Sequence, residues 1–88
     1  MRFDLRFKED ALTEWQRLDG SVREQFKKKL AERLANPRVL AAKLSGHPDR
    51  YKIKLRSTGF RLVYEVRDAQ VVVVVIAVGK RAMQFTKW

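Results

Sequence analysis

The sequence predicts an α+β fold with the element order β-α-α-β-β-β, in which a four-stranded antiparallel sheet has a helical hairpin packed on one face. Short segments with strand patterning occur near both ends of the chain, and two segments with helical patterning lie between them. The chain has 88 residues, 45% of them hydrophobic, which suits one compact domain over residues 1–88.

The first strand and the two helices follow from apolar periodicity. Residues 2–7 alternate apolar and polar side chains, the pattern of a half-buried strand. Residues 11–18 and 22–34 place apolar side chains at helical spacing, which predicts two amphipathic helices. Ser21 can cap the second helix, and Asn36-Pro37 ends it.

The remaining three strands form a predicted meander. Residues 38–50 show no clean period and are predicted to be a loop with a short irregular turn. Strand patterning then covers residues 51–56, 60–66 and 71–78, with breaks short enough for hairpins. The last of these segments is almost entirely apolar, so we expect a central strand covered on both faces.

The charge of the chain limits the classes of partner. Twenty Lys and Arg against ten Asp and Glu give a net charge of +10, which favours nucleic acid or an acidic protein. The absence of cysteine excludes disulfides, thiolate metal sites and cysteine nucleophiles. Residues 1–4 include charges where a signal peptide needs an apolar core, so we expect a cytoplasmic protein.

Basic residues are concentrated in the predicted strands. They are Lys52, Lys54, Arg56, Arg61, Lys80 and Arg81. Because alternate side chains of a strand share a face, Lys52, Lys54 and Arg56 point to the same side. This side of the sheet is expected to bind a polyanion such as RNA, with Arg56 and Lys80 among the RNA contacts.

Other candidate residues have ordinary structural explanations. His47 is the single histidine and is expected to be solvated or locally hydrogen-bonded in the loop. Glu65 and Asp68 near the second hairpin are weak candidates for catalysis. One histidine and no cysteine predict neither a metal nor a cofactor.

A basic run on the second helix is either a solvated surface or a contact for RNA or a protein partner. This run consists of Lys27, Lys28 and Lys29.

The clustered cations can support RNA cleavage without histidine. Repulsion between like charges lowers the pKa of a lysine, so Lys52 or Lys54 beside Arg56 and Arg61 can act as a base near neutral pH. Arginines hold a phosphate bidentately and stabilise transition-state charge. The 2′-hydroxyl of RNA supplies the nucleophile. A passive binding face is the alternative interpretation.

Several sequence blocks together resemble a known family. They are Val22-Arg23-Glu24-Gln25-Phe26-Lys27-Lys28-Lys29-Leu30, Tyr51-Lys52-Ile53-Lys54-Leu55-Arg56, Gly59-Phe60-Arg61-Leu62-Val63-Tyr64 and Val78-Gly79-Lys80-Arg81. Over residues 1–81 the chain resembles the RelE toxins of bacterial type II toxin–antitoxin modules. The resemblance implies an endoribonuclease that enters the A site of the 70S ribosome, contacts 16S rRNA, and cuts the bound mRNA. It also implies neutralisation by an antitoxin in a toxin–antitoxin hetero-oligomer.

The resemblance further implies roles for individual residues. Lys52 and Lys54 match catalytic lysines, one acting as base and both contributing charge. Arg61 matches the transition-state arginine, and Arg81 matches the arginine assigned to the phosphate or leaving group.

The chain departs from the family at its end. The family has a second arginine and a catalytic tyrosine after the position of Arg81, where this chain has Met83 and Lys87. The codons that can encode residues 82–88 can also be translated in a reading frame shifted by two nucleotides. One permitted translation is Arg-Asn-Ala-Val-Tyr-Lys-Val, which resembles the C-terminal segment of family members. We therefore interpret residues 82–88 as an aberrant tail created by a frameshift, and expect attenuated or absent activity.

Two other functions remain open from the sequence. ParE toxins share the fold and inhibit gyrase, although they lack this set of basic residues. A non-catalytic protein that binds antitoxin or RNA would have a similar charge.

Overall fold

The computed structural model describes residues 2–80 and has two helices and four strands. These elements are β1 (Asp4–Phe7), α1 (Glu9–Arg17), α2 (Gly20–Ala35), β2 (Arg50–Leu55), β3 (Phe60–Arg67) and β4 (Val72–Lys80). Single 3₁₀ turns occur at Leu40–Ala42 and Asp68–Gln70. The predicted α+β fold and its element order are confirmed, with strand boundaries that differ by one or two residues.

The sheet is mixed and not wholly antiparallel as predicted. Its strand order is β1-β4-β3-β2, with antiparallel pairing between β2, β3 and β4. β1 lies parallel to β4, and Asp4 is paired with Val72. The difference arises because residues 36–49 carry the chain from the end of α2 to the far edge of the sheet. β2 then enters in the same direction as β1, and the meander returns β4 beside β1.

A side-chain cap marks the start of α2. The side chain of Asp19 accepts hydrogen bonds from the backbone N–H of Ser21 at 3.3 Å and from its hydroxyl at 2.6 Å. Asp19 is therefore the N-cap of α2, and the prediction that Ser21 caps this helix is wrong. A carboxylate at this position satisfies an unpaired N–H and interacts favourably with the positive end of the helix dipole. Asn36 ends α2 as predicted.

The main core lies between the helices and one face of the sheet. From α2 it includes Phe26 and Leu30, which are almost fully buried. Trp15 of α1 packs against this core, with its ring 5.2 Å from that of Phe7 and 6.2 Å from that of Phe26. Within residues 2–80, neither helix is long and apolar enough to cross a membrane.

A smaller apolar cluster lies on the opposite face of the sheet. Its buried members are Val63, Val72, Val74, Ile76 and Ala77, each no more than 6% exposed. Leu44 of the loop packs against this cluster. β4 is thus central and buried on both faces, as the apolar segment predicts. This face also bears Lys52, which is opposite Val63 in the β2–β3 pair, so the cationic face predicted from the sequence includes an apolar cluster as well.

Candidate active site

Lys52, Lys54 and Arg61 lie on the face of the sheet opposite the helices. In the β2–β3 pair, Lys54 is directly opposite Arg61, and Lys52 is opposite Val63. Directly opposite residues in such a pair have Cβ atoms about 4.5–5.5 Å apart. Residues two apart along a strand are separated by about 6.6 Å. Strand pairing therefore places these three cationic side chains in one small area.

The turn between β2 and β3 adds a fourth cation to this area. Gly59 has a φ of +76°, and its N–H donates to the carbonyl of Leu55 at 2.9 Å, which closes the turn. A groove of about 370 Å³ is lined by Lys54, Leu55, Arg56, Gly59, Phe60 and Arg61. We call Lys52, Lys54, Arg56 and Arg61 the cationic patch. Its long side chains border an open groove rather than a closed pocket.

The other end of the same strand pair has balanced charges. Glu65 accepts from Arg50 at 3.3 Å and from Arg67 at 3.0 Å. Burial raises the pKa of Glu65, but the hydrogen bonds from Arg67 and Arg50 outweigh it and hold the pKa below its ordinary value. Because Glu65 is held between two arginines, it is poorly suited to proton transfer near neutral pH.

Arg38 extends this balanced arrangement to the loop. Its guanidinium donates to Asp68 at 2.5 Å, to Asp49 at 3.0 Å and to the hydroxyl of Tyr51 at 3.2 Å. These hydrogen bonds raise the pKa of Arg38 above its ordinary value. We call the whole set the balanced network. It consists of Arg38, Asp49, Arg50, Glu65, Arg67 and Asp68. The weak catalytic candidates Glu65 and Asp68 both belong to it.

Some sequence-predicted RNA contacts lie away from the cationic patch. Lys80 pairs with Phe60 across the sheet, and its ammonium lies 5.4 Å from the centre of the Phe60 ring. Phe60 packs against the helix-side core, so Lys80 is on the other face from Lys54 and Arg61. Arg81, Met83 and Lys87, together with the rest of the aberrant tail, lie outside the described residues.

The basic run on α2 also forms a separate surface. Val22, Phe26 and Leu30 bury one side of α2 against the sheet, and the run lies on the solvated side. Its members Lys27, Lys28 and Lys29 are exposed. The helix layer and the sheet therefore separate this run from the cationic patch. Any RNA that contacts both must extend around the molecule.

His47 lies in the loop that precedes β2. Its backbone N–H donates to the carbonyl of Leu44 at 3.3 Å, next to Gly46 with a φ of +79°. Within residues 2–80, no three His, Cys, Asp or Glu side chains are grouped closely enough to hold a metal ion.

Sequence reasoning missed a hydrogen-bonded support beneath the patch. Arg33 of α2 donates through Nη1 to the carbonyl of Lys52 at 3.2 Å and to the hydroxyl of Tyr64 at 2.9 Å. That hydroxyl donates to the carbonyl of Pro37 at 2.6 Å, and the rings of Tyr51 and Tyr64 stack 5.6 Å apart. The available signal was the presence of tyrosines in apolar strand positions, since a buried hydroxyl requires a hydrogen-bond partner.

The patch has the chemical groups required for phosphodiester recognition. A guanidinium can donate two hydrogen bonds to one phosphate, and ammonium groups stabilise its charge at close range. Val63, which is opposite Lys52, has no exposed surface, and apolar neighbours of this kind strengthen electrostatic interactions beside them. A polyanionic strand lying across this face would reduce the repulsion between Lys54 and Arg61.

Comparison with known proteins supplies the family. Residues 5–85 match the family described as the ParE toxin of type II toxin–antitoxin systems, parDE. The mRNA interferase toxin RelE of Escherichia coli strain K12 is 62% identical over 81 residues, covering 92% of this chain and 85% of that protein. The chain belongs to the RelE toxins of the RelE/ParE superfamily.

Solved structures of RelE toxins have the same fold. The isolated E. coli RelE toxin superposes with a TM-score of 0.89 at 56% identity, covering 97% of this chain and 90% of that one. The toxin in the intact E. coli RelBE toxin–antitoxin complex gives a TM-score of 0.87 at 61% identity, covering 90% and 96%. The β1–β4 pairing and the cationic patch of this RelE-family chain thus occur in a fold shared with toxins of the same class.

Proposed function

We propose that this RelE-family chain is a type II toxin that acts as an mRNA endoribonuclease. The placement of Lys54 directly opposite Arg61, with Lys52 on the same face, is the observation that supports this activity. The similarity to a relative named mRNA interferase toxin RelE provides the substrate class. The cationic patch is accordingly the proposed catalytic surface.

The proposed reaction is transesterification within the RNA. Lys52 or Lys54 accepts the proton of a 2′-hydroxyl, whose oxygen attacks the adjacent phosphorus. Arg61 and the second lysine stabilise the negative charge that develops on the phosphoryl oxygens. The bond to the 5′-oxygen of the following nucleotide breaks, leaving a 2′,3′-cyclic phosphate and a 5′-hydroxyl. The lysine that accepted the proton returns it, directly or through water, to that leaving oxygen, and we assign contact with the phosphate or the leaving oxygen to Arg81, whose guanidinium stays protonated.

The proposed partners follow from the charge of the chain and from its relatives. A net charge of +10 favours fast, salt-sensitive association with rRNA, and we propose that cleavage occurs in the ribosomal A site in the cytoplasm. The RelBE complex of a relative supports an antitoxin as the neutralising partner. Lys27, Lys28, Lys29, Arg56 and Lys80 are proposed contacts for RNA.

We also propose that residues 1–88 form one toxin domain whose aberrant tail, residues 82–88, reduces its activity. Without a tyrosine after Arg81, the site lacks an aromatic group that can also transfer a proton. General acid–base groups typically contribute about 10²–10⁴-fold to a rate. The chain should therefore cleave at least about 100-fold more slowly than a version with the tail in the shifted frame.

Primer extension on ribosomes programmed with a defined mRNA tests both proposals. The full chain and a tail-restored version are compared, and Lys52→Ala, Lys54→Ala and Arg61→Ala are then made in the tail-restored version. We expect A-site cleavage by the tail-restored version and losses of about 100-fold or more for each substitution. Lys43→Ala, which removes an exposed lysine in the loop, is the matched control.

The outcomes separate the possible functions. Absence of cleavage by both versions would overturn the endoribonuclease proposal, and inhibition of DNA gyrase would identify a ParE-like activity instead. Equal cleavage by the full chain and the tail-restored version would overturn only the attenuation. RNA binding without cleavage, lost in the same substitutions, would indicate a non-catalytic binding face.

A further inference from the structure

Arg33 connects the helical layer to the strand that bears the proposed catalytic lysines. It lies on α2, and its Nη1 atom donates at 3.2 Å to the backbone carbonyl of Lys52 and at 2.9 Å to the hydroxyl of Tyr64. The guanidinium carbon lies 5.8 Å from the centre of the Tyr64 ring, within the range of a cation–π contact. A single side chain thus links α2, β2 and β3.

The position of Arg33 is itself fixed by buried groups. Tyr64 has no exposed surface, stacks on Tyr51, and donates its hydroxyl hydrogen to the carbonyl of Pro37 at 2.6 Å. The hydroxyl oxygen is therefore oriented to accept the hydrogen bond from Arg33. A guanidinium held by a buried ring and a hydroxyl has little freedom to move, so it can fix the position of the third group that it contacts.

That third group lies on an edge strand. Among the strands of residues 2–80, β2 is the last in the sheet and pairs with β3. Part of its outer edge is supported, because Lys43 bridges to Tyr51 and the N–H of Leu44 donates to the carbonyl of Arg50 at 2.8 Å. Carbonyls two residues apart point to the same side of a strand, so the carbonyl of Lys52 faces this outer edge as well.

We propose that Arg33 is a positioning residue for Lys52, an inference that rests on the proposed function of the cationic patch. By its hydrogen bond to the carbonyl of Lys52, Arg33 fixes the backbone position of β2 relative to β3 at this residue, next to Ile53 and Lys54. A misplacement of about 1 Å at a catalytic group can cost about 100-fold in rate. Arg33 contacts no substrate in this role and acts through the backbone of β2.

Two sets of variants test this inference in the tail-restored version. Arg33→Ala removes both hydrogen bonds, whereas Tyr64→Phe removes the hydroxyl and leaves Arg33 able to reach the carbonyl of Lys52. Arg38→Ala is the matched control, since it removes another arginine–tyrosine hydrogen bond but bonds only to side chains. Arg33→Lys tests whether one donor at this position is sufficient. Cleavage is measured in the steady state across pH, and kcat is expressed per folded molecule.

We expect Arg33→Ala to lower kcat about 10- to 100-fold with KM changed less than about threefold, and to alter the pH profile. Tyr64→Phe and Arg38→Ala should keep kcat within about threefold, and Arg33→Lys should recover part of the loss. Equal losses in Arg33→Ala and Tyr64→Phe would show a general packing role and overturn the inference.

An NMR measurement on the full chain gives a readout independent of cleavage. Arg33→Ala should shift the carbonyl carbon of Lys52 and the amide of Ile53, and increase amide exchange there, while Arg38→Ala leaves both signals unchanged. Unchanged signals in Arg33→Ala would overturn the inference even if cleavage fell. Conversely, shifted signals in a protein whose cleavage is unaffected by Lys52→Ala would overturn the proposed catalytic role of Lys52 and keep the structural link.

Discussion

The two ends of the β2–β3 pair differ in how their charges are arranged. At the end where β2 begins, the balanced network pairs each carboxylate with an arginine, and Arg50 lies directly opposite Glu65. At the other end, the cationic patch places Lys54 directly opposite Arg61. Opposite charges across a strand pair are stabilising, whereas like charges are destabilising.

The difference separates stability from function on one surface. The balanced end contributes to folding through hydrogen bonds between partly buried groups, and its partners neutralise one another. The cationic end places Lys54 and Arg61, which have like charge, opposite one another, and this arrangement attracts a polyanion. Departures from favourable local pairing are expected at functional sites, so the contrast favours the cationic patch as the candidate site. The predictions below alter one end at a time.

The largest effect is expected from making the cationic end resemble the balanced one. Arg61→Glu places a carboxylate opposite Lys54, which should abolish cleavage, a loss of more than about 100-fold in the tail-restored version. The free energy of unfolding should rise by about 0.5 kcal/mol because a repulsive pair becomes attractive. Primer extension and urea unfolding measure the two quantities.

The control is Arg61→Gln, which only removes the charge and should lose cleavage with a smaller gain in stability. Cleavage that survives in Arg61→Glu would contradict the assigned role.

At the balanced end we expect a substitution to lower stability without changing cleavage. Glu65→Gln leaves Arg50 and Arg67 without their carboxylate and should lower the free energy of unfolding by about 1 kcal/mol. Cleavage per folded molecule in the tail-restored version should remain unchanged, since the proposed reaction does not use Glu65. A loss of cleavage larger than the loss of folded protein would show that the two ends are coupled.

The balanced end also predicts how stability depends on pH. The pKa of Glu65 is below its ordinary value of 4.5 in the folded protein. Its contribution to stability is therefore complete above about pH 4.5 and is lost as the pH falls through the lower folded value. Burial raises the pKa of the Tyr64 hydroxyl above its ordinary value of 10.0, despite the hydrogen bond from Arg33. The contribution of neutral Tyr64 to the free energy of unfolding is therefore lost as the pH rises beyond 10. Thermal unfolding of Glu65→Gln should show a weaker loss on the acid side. An acid response identical to that of the unaltered chain would exclude Glu65 as its source.

The smallest effects are expected at the turns that close the two ends. Val71 has a φ of 55°, which is strained for a β-branched residue, and Gly59 has a φ of 76°. Val71→Gly should raise the free energy of unfolding by about 0.5–1 kcal/mol, whereas Gly59→Ala should lower it by about 1 kcal/mol. Calorimetry measures both. If Gly59→Ala is neutral, the turn can adopt another conformation without cost.

The element order could be predicted because each segment has its own local signal. Apolar periodicity identified both helices and all four strands, and the apolar segment at 71–78 identified the central strand. The direction of β1 could not be predicted in this way. It depends on the path of residues 36–49, which lack any regular period, and a strand pattern is the same in either direction.

The site was predictable to the extent that it depends on alternation within a strand. Lys52 and Lys54 share a face for that reason, and Arg61 joins them because the turn sets the register of β3. Lys80 illustrates the limit, because its face depends on the irregularity in β3–β4 pairing at Val63 and Tyr64. Arg33 could not be predicted, since its contact with Lys52 is made between layers by residues 19 positions apart.

The pairing of β1 with β4 has a consequence for synthesis of the protein. Asp4 pairs with Val72 and the central strand ends at Lys80, so the sheet cannot close until residues 72–80 have left the exit tunnel. Contacts so distant in sequence make folding slow. The β2–β3 pair that bears the cationic patch is therefore joined to its central neighbour only after residues 72–80 have been synthesised.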